Sequence, residues 1–262
     1  MTHRFAAAIL IAIPAVVAAQ GSISVGSLTF GPATTVAEIN TDKIKGQPSR
    51  LAWSSDGTEL YVQMLDGEFG KIDPSKLSHH VFMVPNGEHR QITAEPEWLA
   101  AYWSAKSGQA SPDDGAFKIS LKSENKKQQT VSTPMGGDLA RGGGAGGDGG
   151  TASAGDALSA AYNQQAVPVH TMILNGEVVG EFVNSVIVPG QTFAWGPAGS
   201  KVIAYSANKS GRLVVMDNRG KKQEIEGTKD SVFPAWSHDG KRLAWLQKDG
   251  KKKYILKISS IG

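Results

Sequence analysis

The chain has 262 residues, with 27 Lys+Arg, 24 Asp+Glu, 31 Gly, 6 Trp and no Cys, for a formal charge of +3. Apolar residues at 40% and charged residues at 19% exclude a disordered chain and supply enough material for a buried core in one large domain or two small ones. A charge this small and scattered argues against nucleic acid as a partner.

Residues 1–4 carry one basic side chain, 5–17 are almost wholly apolar, and Val17-Ala18-Ala19 offers the small residues that a signal peptidase reads. The segment 1–19 is therefore expected to be a secretory signal peptide, leaving 20–262 as the mature protein. Pro14 interrupts the apolar run, which is too short to span about 30 Å of hydrocarbon. No membrane insertion is expected after cleavage, and the expected location is periplasmic or secreted. Without cysteines, burial rather than disulfides must hold such an exported fold together.

The first strand pair follows at residues 51–62, where Leu51-Ala52-Trp53 leads through Ser54-Ser55-Asp56-Gly57 into an alternating strand, the pattern of a hairpin on an Asp-Gly turn. A second hairpin joins 81–84 to 90–93, and a third is expected between 117–121 and 128–131. Residues 136–155 then hold 10 glycines, a composition that opposes any packed element, so a flexible loop is expected. Gly142, Gly144 and Gly147 fit a dinucleotide fingerprint by composition alone, with no apolar strand before them. Residues 156–162 suit a short helix.

Beyond the insert, 171–174 and 177–180 form another hairpin pattern. Phe193-Ala194-Trp195 opens a copy of the first pair, 212–217 and 221–225 make an outer pair, and Pro234-Ala235-Trp236-Ser237-His238-Asp239-Gly240 repeats the opening motif. A last strand is expected at 254–258. Trp195 and Trp236 stand 41 residues apart, within the span of roughly 40 to 50 residues of a four-stranded propeller blade. The expectation is an all-β, propeller-like fold of about five four-stranded blades, one of them incomplete or interrupted by the insert. Trp53, Trp195 and Trp236 should fill equivalent wedges between sheets.

The segments Trp53-Ser54-Ser55-Asp56-Gly57 and 234–240 resemble the repeat of TolB-type β-propellers, Pro-x-Trp-Ser-Pro-Asp-Gly followed by an apolar strand. The resemblance implies an exported propeller that binds a partner protein in the cell envelope. The first repeat begins about 30 residues into the mature chain, so the expectation is a propeller without the separate amino-terminal domain of that family.

No motif points to a nucleophile elbow, a phosphate loop or a zinc-protease helix, and no catalytic, cofactor or metal residue is assigned. His79 and His80 are adjacent, so on a strand they face opposite ways and cannot share a metal by themselves. His89, His170 and His238 read as isolated loop or surface residues, and Asp113-Asp114-Gly115 as a turn. Lys248, Lys251, Lys252 and Lys253 read as a solvated hairpin tip.

A monomeric, non-catalytic interaction scaffold is the expected function. A glycan, peptide or small-ligand binder, or a propeller hydrolase or lyase with dispersed residues, are the alternatives. In a four-stranded meander, first-to-second and third-to-fourth turns share one face. Second-to-third loops and blade connections share the other. Long segments are expected on that second face, which places the candidate partner contacts at Phe69, His79, His80, Glu97 and Trp98.

Overall fold

In a computed structural model, the residues described are 24–67, 74–107, 113, 115–127, 166–183, 186–187, 192–207 and 210–262. The signal-peptide segment, Phe69, the Gly-rich run and the helix expected at 156–162 lie outside them. The described residues form four antiparallel sheets of four strands, arranged as a four-bladed β-propeller.

Strand β1 (Thr34–Asn40) is followed by the first blade, β2 (Gln47–Trp53), β3 (Glu59–Leu65), β4 (Leu77–Met83) and β5 (His89–Ile92). Helix α1 (Leu99–Ser107) precedes the second blade, β6 (Ile119–Lys127), β7 (Ala166–Leu174), β8 (Glu177–Val183) and β9 (Val186–Ile187). The third blade comprises β10 (Phe193–Trp195), β11 (Val202–Ser206), β12 (Leu213–Asp217) and β13 (Lys222–Glu224). In the last blade, β14 (Ser231–Trp236), β15 (Arg242–Lys248) and β16 (Lys253–Ser260) take β1 as their outer strand, in the order β1-β16-β15-β14. The start of the chain thus completes the sheet made by its end. Thr29 and Gly262 exchange backbone hydrogen bonds at 2.9 and 3.0 Å beside that seam.

The expectation of about five blades is corrected to four, for two reasons. The strand expected at 117–121 runs on as β6 and pairs with β7, from Ile119↔Leu174 to Lys127↔Ala166, while 128–131, expected as its partner, lie outside the described residues. The strands expected on either side of the Gly-rich run therefore belong to one sheet. The strand at 254–258 is likewise the third strand of the blade that Trp236 opens, and not the marker of a further blade.

Burial on both sides of the third-blade sheet explains its near-continuous apolar strands. In the third blade Phe193, Trp195, Ile203, Tyr205, Val214 and Met216 face the core shared with the second blade. Their neighbours Ala194, Val202, Ala204, Leu213 and Val215 face the core shared with the last. The two-residue period thus feeds two interfaces at once. Trp53, Trp195 and Trp236 each end the first strand of a blade and are 0% exposed, as the repeat predicted.

Helix α1 is an element that the strand patterns do not announce. Leu99, Tyr102 and Lys106 are buried and Trp103 is half-buried, an i, i+3, i+4, i+7 stripe that marks one helical face. The helix touches both β2 and β10, β10 touches β14, and β14 touches β2. It therefore closes a ring of four inner elements, in the position that an innermost strand holds in the other blades. Tyr102 fixes it there, donating its hydroxyl to the Trp236 carbonyl at 2.9 Å.

Candidate functional site

The two faces of the propeller differ. One carries tight turns such as Asp56-Gly57, Asn86-Gly87 and Asp239-Gly240, whose glycines have φ of 69°, 70° and 70°. Gly87 is held close: a Cβ there would come within 2.2 Å of the Val36 carbonyl oxygen on β1. The Asp56 and Asp239 carboxylates tie their own turns, each accepting from the serine two residues earlier at 2.6 Å. These are Asx-type turn locks. They leave little for a partner to grip.

The other face carries the blade connections, and two cavities open among them. The first, about 840 Å³, lies between β1 and the outer strands of the first blade, with Asn40, Lys43, Lys76, Ser78, His80 and His89 among its lining. The second, about 290 Å³, sits where β2, β11 and β14 begin or end on this face, lined in part by Pro48, Asp230, Ser231, Phe233 and Tyr254. Two of its residues have left-handed backbone, Asp230 with φ 58° and Phe233 with φ 54°. The Phe233 N–H donates to the buried Thr192 hydroxyl at 2.6 Å, which holds that conformation against its intrinsic cost.

In the larger cavity, His80 on β4 stands beside His89 on β5. The register pairs His80 with Gln91 and Phe82 with His89, so the two histidines are diagonal neighbours on one face of the sheet. His80 Nδ1 lies 2.9 Å from His89 Nε2, and His80 Nε2 lies 2.9 Å from the Ser78 hydroxyl. The His89 ring also stacks on Phe82, centroids 4.8 Å apart. Burial pushes His80 down to about 4, with the neighbouring His89 and His79 adding to the effect, and burial lowers His89 as well. Charged imidazolium is costly in this setting.

His79 points to the opposite side of β4, where its Nδ1 lies 2.7 Å from the Tyr61 hydroxyl. Tyr61 is fully buried, and burial, with the Glu95 charge next, raises its phenol above the usual range. Gln63 continues the chain: its amide donates to Glu95 at 2.8 Å and accepts from Ser49 at 2.9 Å. Arg50 donates to Glu95 at 3.3 Å and lies 4.6 Å over the Trp103 ring of α1. Trp98 meets Tyr61 edge-on at 6.4 Å. This polar chain docks the 94–98 connection and the helix onto the first blade.

Of the five residues that the loop lengths single out, Glu97 is exposed and Trp98 half-buried on this face. His79 is half-buried in the Tyr61 chain, and His80, 3% exposed, lines the larger cavity. The structure thus separates His79 from His80, as alternation on a strand requires. It brings His80 to His89 instead, a pairing that depends on the β4–β5 register and has no signature in spacing.

No protein-family model and no curated protein matches the sequence. Among solved structures, the chain is similar to TolB from Acinetobacter baumannii, at 12% identity and a TM-score of 0.24, over 82% of this chain and 43% of that one. It is also similar to the Cps50 (Swd1) β-propeller domain of Myceliophteria thermophila, at 10% identity and a TM-score of 0.28, over 82% of this chain and 84% of that one. A third likeness is to oligogalacturonate lyase from Vibrio parahaemolyticus, at 9% identity and a TM-score of 0.23, over 80% and 64% of the two chains. The chain thus spans less than half the length of the TolB structure that it matches.

Proposed function

We propose that the protein is an exported, periplasmic β-propeller that acts as a non-catalytic protein-interaction scaffold and holds its partner on the face of the blade connections. The asymmetry between the two faces supports this reading. Tight, self-bonded turns close one face, whereas both cavities, the exposed Glu97 and the half-buried Trp98 gather on the other. Binding on propellers uses the face whose loops offer area and large side chains.

Site-specific photocrosslinking in cells that export the protein tests the assignment. A crosslinker at Lys45 or Glu97, both exposed on the connection face, should give a discrete protein adduct. The same group at the exposed Asn86 or Lys241, on the tight-turn face, should give none. Adducts confined to Asn86 and Lys241, or equal at all four positions, would refute the assignment of the face. Fractionation of the same cells checks export.

A further inference from the structure

We propose that the 840 Å³ cavity is a cleft for an extended, acidic peptide segment of the partner protein, an inference that rests on the connection face being the binding face. The cleft is the outer part of the gap between the last blade and the first. Alternation along the strands places Glu38 and Asn40 of β1 on one wall, and Ser78 and His80 of β4 with His89 and Gln91 of β5 on the other.

The gap next to it has an occupant, and that occupant is a short stretch of chain. Sheets packed around an axis diverge toward their outer strands, so each gap widens outward. Between the third and last blades the segment ahead of β1 plugs this space. Val25 and Leu28, 0% and 7% exposed, share one core with Leu213, Val215 and Ile225 on one side and Leu243 and Trp245 on the other. The Gln223 amide donates to the Leu28 carbonyl at 3.2 Å and so holds the plug by its backbone. The gap between the last and first blades stands open as the cavity, whose 840 Å³ falls within the roughly 300 to 1,000 Å³ usual for a ligand site.

Its chemistry sets the class of peptide. The plugged gap is lined by apolar side chains, whereas this one is lined by Lys43, Lys45, Lys76 and Lys253 against two acids, Glu38 and Asp66. Lys253 is engaged by Asp249 at 2.6 Å and by Glu38 at 3.7 Å. Lys43, Lys45 and Lys76 are exposed and make no ion pair among the described residues, which leaves only the Asp66 carboxylate to offset them. Lysine ammonium groups are point charges on flexible stems, so they can follow carboxylates spaced along a chain without imposing one fixed geometry.

The wall behind the lysines supplies hydrogen bonds. The contact between His80 Nδ1 and His89 Nε2 leaves the other ring nitrogen of His89 uncommitted among the described residues, as is the Gln91 side-chain amide. Burial lowers both histidines, so at neutral pH they offer polar atoms and no charge. Main-chain groups of an extended peptide need such partners, while its acidic side chains meet the lysines. A cleft between two sheets admits a chain. A lipid surface would meet only the tips of the lysines.

Panning a random peptide display library on the full chain tests the proposal. The captured peptides should be enriched in Asp and Glu, and a fluorescein-labelled copy of the most enriched one should bind at one site per chain. The triple variant Lys43→Glu, Lys45→Glu, Lys76→Glu should weaken that binding by at least about tenfold. Lys118→Glu, Arg219→Glu, Lys241→Glu, an equal charge change at exposed positions outside the cavity lining, should keep the parent's affinity. Gln91→Trp changes no charge and sits at an exposed position on the cleft wall. It should keep the circular dichroism spectrum and block the peptide by occupying the cleft. Phosphatidylglycerol vesicles and inorganic phosphate, at matched ionic strength, should not displace the peptide. Captured peptides without acidic enrichment, equal loss in the two triple variants, undiminished binding by Gln91→Trp, or displacement by vesicles or phosphate would each overturn the cleft. A partner that crosslinks at Glu97 while no acidic peptide is captured overturns the cleft alone, whereas adducts confined to Asn86 and Lys241 overturn the assignment of the face.

Discussion

Trp53 in the first blade donates its indole N–H to the carbonyl oxygen of Ala235 in the last, at 2.9 Å, across 182 residues of sequence. Arg242, also from the last blade, lies 4.5 Å over the same ring. Trp53 is thus a seal between the two ends of the propeller as well as a wedge in its core.

That difference in role separates the tryptophans energetically. Trp53→Ala and Trp236→Ala should each cost about 3 to 5 kcal/mol, since both are fully buried. Phenylalanine should tell them apart. Trp53→Phe also loses a hydrogen bond and should cost about 1 kcal/mol more than Trp236→Phe, whose buried indole N–H has no partner to lose. Urea denaturation of the four variants measures the order, and equal midpoints for the two Phe variants would contradict it.

Closure by β1 makes an early segment essential to the last blade. Ile39 on that strand is 0% exposed and belongs to the core shared by the first and last blades. Ile39→Ala should cost about 2 to 5 kcal/mol. Deleting residues 24–40 should leave β16 with an unpaired edge and promote self-association. Light scattering of the deletion variant at rising concentration reads this directly.

The Glu95 carboxylate holds the 94–98 connection to the first blade through Gln63 and Arg50. Its ion pair with Arg50 is partly exposed and contributes little. The larger loss in Glu95→Ala comes from the Gln63 amide, 4% exposed, which is left under-satisfied at a cost of about 1 to 2 kcal/mol. A double-mutant cycle with Gln63→Leu should recover much of that loss, and strict additivity would show that the carboxylate acts elsewhere.

Lys106 is 5% exposed, and burial pushes its ammonium down to about 8 against the opposing pull of Asp113. A lysine lowered on folding binds fewer protons folded than unfolded between about 8 and its ordinary value of 10.5. Its contribution is therefore fully present above 10.5 and is lost as pH falls toward 8. Lys106→Met should raise stability at pH 7 by about 2 kcal/mol and flatten the rise in stability between pH 8 and 10.5. A midpoint at pH 7 that falls on substitution would mean that the ammonium is stabilising where it lies.

By itself, the sequence determined the period-two apolar strands, the Asp-Gly turns and the place of each repeated tryptophan. These are local matters of alternation and turn chemistry, and Trp53, Trp195 and Trp236 end equivalent inner strands accordingly. The tertiary structure decided what depends on distant pairing. Residues 119–127 find 166–174 across the Gly-rich run, and β1 joins β16. Four apparent outer strand pairs and a fifth outer strand thereby become four blades, because antiparallel hydrogen bonding selects partners by register and not by nearness in sequence. The helix at 99–107 has no counterpart among the expected elements, since its buried face of Leu99, Tyr102, Trp103 and Lys106 includes a lysine, and the ring contacts show that it stands where an inner strand would. His89 reads as an isolated residue in the sequence. Its meeting with His80 arises from a diagonal across two strands, a geometry that the ladder alone creates.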